Sequence, residues 1–231
     1  MRKMTVLMGT VALAIIKVWA QVEPNALQWL NRSFEAYSKL ESLQSKTELV
    51  VLMMTPRNPQ GEPIQRLTYG YTLKRPAMLN LLVKDYNRTG DAQRYLCDGQ
   101  RLQGGGQNLQ VGNSGLALLE LMPSLDIVPT YDMVFVFGGN SSQEKFRKQI
   151  TQLSVAKEDE KQVVLKGRIK NERNREDELE IVLEKNDLLM RQMRITTKAK
   201  IEGSESAFVL QVSFEPTPNP PTNEQNFTGN P

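Results

Sequence analysis

The stretch YTLKRPAMLNLLVKDY, residues 71–86, decides the fold. Apolar and polar side chains alternate before Arg75-Pro76 and again after it, the period of a strand with one dry face. In the run IQRLTYGYTLKR, Tyr69, Tyr71, Leu73 and Arg75 share one face, while Thr68, Gly70, Thr72 and Lys74 share the other. The pattern extends outward on both sides. Upstream lies KTELVVLMMT, separated by PRNPQGEP, a segment dense enough in proline and glycine to break a strand. Downstream lie AQRYLCDGQRLQ, which reads as a hairpin around Asp98-Gly99, and the short QNLQVG. These are antiparallel strands in succession with no helix between them.

A second series fills the C-terminal half. ITQLSVAKED, KQVVLKGRIKN, DELEIVLEKN, LLMRQMRITTKAKI and SAFVLQVSFEP are separated by charged turns. Leu179, Ile181 and Leu183 alternate with Glu178, Glu180, Val182 and Glu184, and Phe208, Leu210, Val212 and Phe214 alternate with Val209, Gln211 and Ser213. This is a meander with one dry and one wet face.

Helical signals are fewer. Leu27, Leu30, Phe34, Tyr37 and Leu40 form one stripe after Pro24, a residue suited to a first helical turn, and the stripe ends near KLESLQS. SGLALLELM is rich in helix formers and stops at Pro123. PTYDMVFVFGGN reads both ways: its β-branched and aromatic content favours strand, whereas Thr130, Asp132 and Gly138-Gly139 are helix start and stop signals. A long sheet with one dry face must cover that face, by curling and by packing helices into the concavity.

Composition narrows the chemistry. The chain has 231 residues, a formal charge of +3, no histidine and one cysteine. Lysines and arginines are interleaved with acids, so no footprint for nucleic acid stands out. Without histidine the commonest general base, the usual triads and most zinc sites are lost. Cys97 reads as a small buried residue rather than a nucleophile, since no histidine can activate it. QGGGQ at 103–107 has no helix opening after it and reads as a hairpin tip, not a phosphate cradle. Neither a metal nor another cofactor is expected, and no enzymatic activity.

The N-terminus combines the basic MRKM, the short apolar run TVLMGTVALAII and VWA before Gln21. This reads as a secretory signal peptide over residues 1–20, too short in its apolar part to span a bilayer comfortably. The alternative, given Lys17, is an uncleaved anchor. The remaining division is one domain over 21–215 and a proline-rich tail over 216–231, extended or disordered.

Taken in order, the N-terminal helix, LKRPAMLNLL, YLCDGQRL, NLQVG and the late NFTGNP are similar to the periplasmic lipoprotein carriers of the Lol system and their exported relatives. The matching positions are Lys74-Arg75-Pro76, Asp98-Gly99 and Gln110-Val111. The resemblance implies an α+β fold: a strongly curved, unclosed antiparallel sheet, an incomplete barrel, with a few helices as a lid over the concave face. It tips PTYDMVFVFGG toward a lid helix. It also implies a periplasmic, non-catalytic carrier or binder of lipoprotein acyl chains or other lipid. Its partners would be an acylated lipoprotein or lipid and a membrane-side transfer protein, with the carrier itself monomeric. The alternative is an envelope sensor of the same fold that acts by protein contact.

The phase of the strands and lids nominates the lining of an apolar cavity: Leu30, Phe34, Tyr69, Tyr71, Leu73, Leu79, Leu81, Leu119, Met122, Phe135, Met193, Phe208 and Leu210. Arg75 continues the concave face, where its donors need carbonyls, and the ends of the lid helices would be the nearest. In the carriers it resembles, the matching arginine bonds the lid and lets go when lipid enters, so Arg75 is expected to be a lid latch. The other reading is an arginine snorkelling past the strand end.

N-terminal sequencing of the mature protein should begin at Gln21; an intact Met1 on membrane-bound material would show an anchor instead.

Overall fold

The computed structural model describes residues 22–171, 173–201 and 203–228. The proposed signal peptide lies outside the described residues. Eleven antiparallel strands form one sheet, in the order β6-β5-β4-β3-β2-β1-β11-β10-β9-β8-β7. The first meander comprises β1 (Ser42–Thr55), β2 (Asn58–Lys74), β3 (Met78–Asp85), β4 (Gln93–Asp98), β5 (Arg101–Gly104) and β6 (Gln107–Gln110). The second comprises β7 (Ile150–Glu158), β8 (Gln162–Lys170), β9 (Glu176–Glu184), β10 (Met190–Ile201) and β11 (Ser204–Pro218). They meet at the long β1–β11 pair, in register from Leu43↔Pro218 to Met54↔Ala207. The sheet is open and curved, with β6 and β7 as its two edges, so it is an unclosed α+β architecture.

That order explains where the helices go. Residues 111–149 must travel from the β6 edge to the β7 edge, across the full width of the sheet. They do so as α2 (Gly115–Leu121), a 3-10 turn (Met122–Leu125) and α3 (Tyr131–Gln149). The N-terminal helix α1 (Pro24–Lys39) enters from beside the β7 edge, where Glu23 N–H donates to Leu153 O at 2.8 Å, and packs on α3. It has Pro24 at its start and buries Leu30, Phe34 and Tyr37.

Three local readings change against the fold. The segment 56–63 is not a break: only Pro56-Arg57 turn, and β2 runs from Asn58 with Pro63 opposite Leu52. Its prolines are tolerated because β3 pairs with β2 only from Leu67 to Lys74, which leaves this stretch with an unpaired outer edge. Second, α1 ends at Lys39, within KLESLQS, but the strand after it starts earlier than KTELVVLMMT suggests, since β1 already begins at Ser42. Third, PTYDMVFVFGGN is helical, and the helix does not end at its glycines. Gly139 adopts φ 51° and ψ −144°, a conformation that breaks the helix, which then resumes through Gln149 and buries Phe146.

Arg75 and Pro76 do not interrupt a strand. They form the hairpin turn between β2 and β3, with Lys74 opposite Met78 across it. The Arg75-Pro76 bond is cis. Helix α2 sits tightly against this turn: a Cβ on Gly115 would fall 2.8 Å from Pro76 O and 2.6 Å from Phe137 O.

The tail crosses the back of the sheet. The Asn219 side chain accepts from the N–H groups of Glu41 at 3.0 Å and Ser42 at 3.3 Å, and Asn80 Nδ2 donates to Asn226 O at 2.8 Å. A 3-10 turn, Glu224–Phe227, contacts β3 and β4 and buries Phe227 to 1% exposure. Replacing a buried phenylalanine by alanine typically costs about 3 kcal/mol or more. Phe227→Ala should therefore lower the urea midpoint clearly, whereas a tail that does not fold onto the sheet would leave it unchanged.

Candidate functional site

The concave face is built from alternate residues of ten consecutive pairings. Leu43, Leu73 and Leu79 lie in one cross-strand row, Ser45, Tyr71 and Leu81 in the next, and Thr47 and Tyr69 in the next. On the other half, Val212, Met193 and Ile181 continue the face. Opposite them stand the helices. Phe135 of α3 is the hub, with ring centroids 5.1 Å from Phe34, 5.5 Å from Phe146 and 5.7 Å from Tyr37.

Most residues nominated from the sequence meet here. Leu30, Phe34, Tyr69, Tyr71, Leu73, Leu79, Leu81, Met122, Phe135 and Met193 are buried in one continuous apolar cluster between sheet and helices. Leu119 and Leu210 are half-buried at its margin, and so is Phe208 farther along β11. The last two share the concave phase with Val212 and Phe214 but pair with Val51 and Met53 toward the hairpin tips. In this closed arrangement the side chains themselves fill the space between the layers.

A cleft of about 1310 Å³ lies elsewhere. Its charged lining, Lys166, Arg168, Glu178, Glu180, Arg194 and Lys198, belongs to the wet face, alternating with Leu165, Leu179 and Ile181. Ion pairs Lys166–Glu180 and Lys198–Glu178, both 2.9 Å, cross it. Val22, Met54, Leu153, Leu179 and Ala207 add apolar atoms to the same cleft.

Several polar contacts tie the helices to the sheet, including Met190 N–H to the Tyr37 hydroxyl at 3.3 Å and Val155 N–H to Glu23 Oε2 at 3.2 Å; two other devices centre on the ionisable groups Arg75 and Asp132. The first is Arg75, half-buried, whose Nε donates to Leu40 O at 2.8 Å and whose Nη2 donates to Tyr37 O at 3.3 Å. Both acceptors are at the C-terminal end of α1, where unsatisfied carbonyls and the helix dipole favour a cation. Burial lowers the Arg75 pKa from its ordinary value, and these carbonyls offset that desolvation. Its backbone N–H also donates to Glu41 O at 2.9 Å. Lys74, on the opposite face, instead approaches Glu224 at 3.9 Å.

The second device joins α3 to the middle of the sheet. Tyr71 O–H donates to Asp132 Oδ2, and Thr130 Oγ1 donates to Asp132 Oδ1 at 2.5 Å. The Met133 N–H donates to the same oxygen at 3.0 Å. Behind Tyr71, Thr47 lies 3.0 Å from its hydroxyl and Ser45 lies 3.3 Å from Thr47. Asp132 is fully buried, and this burial raises its pKa above the ordinary value of 3.8, against the lowering effect of its hydrogen bonds. Thr130 occupies the N-cap position, but its hydroxyl serves Asp132 rather than a helix N–H.

Sequence reading singled out Arg75 and Tyr71 but not this network. Thr130 and Asp132 looked like ordinary helix-start residues. The available signal was Ser45 and Thr47, hydroxyls in phase with Leu43 and Leu49 on the dry face. Cys97 is buried, and burial pushes its thiol up to about 11, which removes it as a nucleophile near neutral pH.

No family model matches this chain, and no curated protein matches it. Similar solved structures exist. LprF from Mycobacterium bovis is 14% identical, with a TM-score of 0.48 and coverage of 90% of this chain and 100% of that one. The Pseudomonas aeruginosa MucA/MucB complex is 15% identical over 89% of this chain, with a TM-score of 0.41. The chain spans only 61% of that protein's length. A LolA superfamily protein from Nitrosomonas europaea is 12% identical, with a TM-score of 0.30 over 88% of this chain and 97% of that one.

The raised Asp132 pKa has a sign. The folded chain holds this proton over the interval between the ordinary 3.8 and the raised value, and the unfolded chain does not. The group's contribution to stability is therefore greatest below that interval and falls as pH rises through it. In urea titrations, the stability of the wild type relative to Asp132→Asn should fall as pH rises from about 4 toward neutrality. A difference that stays flat with pH would contradict this.

Proposed function

We propose that this protein is a non-catalytic carrier or binder of acyl chains, lipoprotein-borne or free, held between the concave sheet and the helices. The observation that carries the reading is the closure itself. An apolar interior is covered by helices whose polar attachments to the sheet include Arg75 at the end of α1 and the Tyr71–Asp132 pair at the start of α3. The order of Lys74-Arg75-Pro76, Asp98-Gly99 and Gln110-Val111 supports the same reading, and so does the export-type N-terminus, which fits a periplasmic mature chain.

The energetics favour exchange over permanent closure. Each buried CH₂ contributes ~0.8 kcal/mol, so one long acyl chain in a dry slot gains on the order of 10 kcal/mol. Hydrogen bonds to a charged group are worth about 1.5–3 kcal/mol each. Arg75 therefore sets a closing force that one chain overcomes and that assists release when the chain leaves. Methionines on the interior surfaces, Met122, Met133 and Met193, can repack around irregular hydrocarbon. The protein would receive its load from, or deliver it to, a membrane-side partner.

A fluorescent fatty acyl probe should bind the delipidated protein and be displaced by a lipopeptide. Arg75→Leu weakens the closed state, so the probe should leave at least about tenfold more slowly, by loss of one or both hydrogen bonds. Lys74→Leu should release like the wild type. Failure of any apolar probe to bind the intact fold would refute the carrier. If Arg75→Leu and Lys74→Leu act alike, the latch is wrong. Native mass spectrometry of protein purified from the envelope adds an independent arm. A copurified acyl species supports the carrier, while a bound protein and no lipid points to a contact-dependent sensor.

A further inference from the structure

The Ser45–Thr47–Tyr71–Thr130–Asp132 network is an oddity in a hydrocarbon-binding interior. All five residues are at most 3% exposed, at the centre of the sheet where β1 and β2 pair. The acid has no cation among its hydrogen-bond partners. As a clamp alone it is expensive, because a buried carboxyl needs every bond it has. The network is also split between two bodies. Ser45, Thr47 and Tyr71 belong to the sheet, whereas Thr130 and Asp132 belong to the cover.

Parting the cover from the sheet breaks Tyr71 O–H to Asp132. It leaves hydroxyl donors on the floor and a carboxyl acceptor on the roof, facing one another across the opened space. Each stranded group raises the cost of the open state unless something replaces its partner. A hydrocarbon chain cannot do so. An amide can: its C=O accepts from the Tyr71 or Thr47 hydroxyl, and its N–H donates to Asp132. A carboxylate cannot satisfy both, since it has no donor and meets Asp132 with like charge.

We infer that these residues form, in the opened protein, a recognition site for the amide group of an N-acylated ligand such as an acylated peptide terminus. The inference rests on the carrier reading and adds to it a chemical class: amide-linked acyl chains over free fatty acids and over bare hydrocarbon. The acyl tail then runs along the apolar cluster on either side, over Tyr69, Leu81 and Phe135.

Competition against the bound fluorescent acyl probe tests it, with N-palmitoyl glycinamide, palmitate and hexadecane as competitors at neutral pH. The wild type should prefer the amide over each of the others by about tenfold, the worth of one to two hydrogen bonds. Tyr71→Phe combined with Thr47→Val should bring the amide several-fold closer to hexadecane, since only the contact to Asp132 remains. Asp132→Asn should narrow the gap between amide and palmitate. These variants also loosen the closed state, but that raises all three affinities together and leaves their ratios as the readout. Equal competition by all three in the wild type, or ratios unmoved in the variants, overturns the amide site and leaves the carrier standing. If the acyl probe itself does not bind, the carrier reading fails, and this inference with it.

Discussion

One constraint organises the molecule: the dry face of an eleven-stranded sheet has to be covered by the same segment that connects its two edges. β6 and β7 are the outermost strands, yet they are consecutive in sequence. A chain crossing from one to the other over the wet face would cover a surface already served by water and ion pairs. Crossing over the dry face buries apolar area at ~25 cal/mol per Å², so α2 and α3 lie there. Helix α1 reaches the same face from beside the β7 edge and packs on α3, and the three helices become one cover.

The covering layer was the least legible part of the sequence, and the sheet the most. Strand phase is local: alternation in IQRLTYGYTLKR, DELEIVLEKN and SAFVLQVSFEP places the face of each strand without knowledge of its partners. The β2–β3 and β9–β10 registers then follow from neighbouring turns. The helices lack that clarity. Residues 140–149, NSSQEKFRKQ, carry only Phe146 as a buried apolar anchor, and they follow two glycines that signal a stop. Resumption of the helix is decided by where Phe146 can pack, against Phe135 and Tyr131, and that is tertiary information.

The same distinction separates the residues of the site. Leu30, Tyr71, Leu79 and Met193 could be nominated because burial follows phase. Asp132 could not, because an acid in a first helical turn normally faces water and favours the helix dipole. Only the sheet beneath it turns that ordinary position into a buried one. Phe227 escaped for a related reason. It lies in a proline-rich stretch, and what orders it is a seat on the back of β3 and β4, which no local pattern in the tail reveals.

The two charges beneath the cover follow a common rule. Arg75 meets the C-terminal carbonyls of α1, and Asp132 sits at the N-terminal end of α3. Each therefore faces the helix end of opposite partial charge, and neither relies on the other as a counter-ion. This arrangement separates two tasks that apolar packing cannot separate. Hydrocarbon contact holds the helices down but tolerates sliding and repacking, because it is non-directional. Directional contacts at the helix ends, with the bond from Met190 N–H to the Tyr37 hydroxyl, fix a single geometry. An interior built with ion pairs across the layers would have lost more on opening, since each parted charge would be left uncompensated. Attachment through helix ends fixes the cover on the sheet without a buried ion pair across the layers.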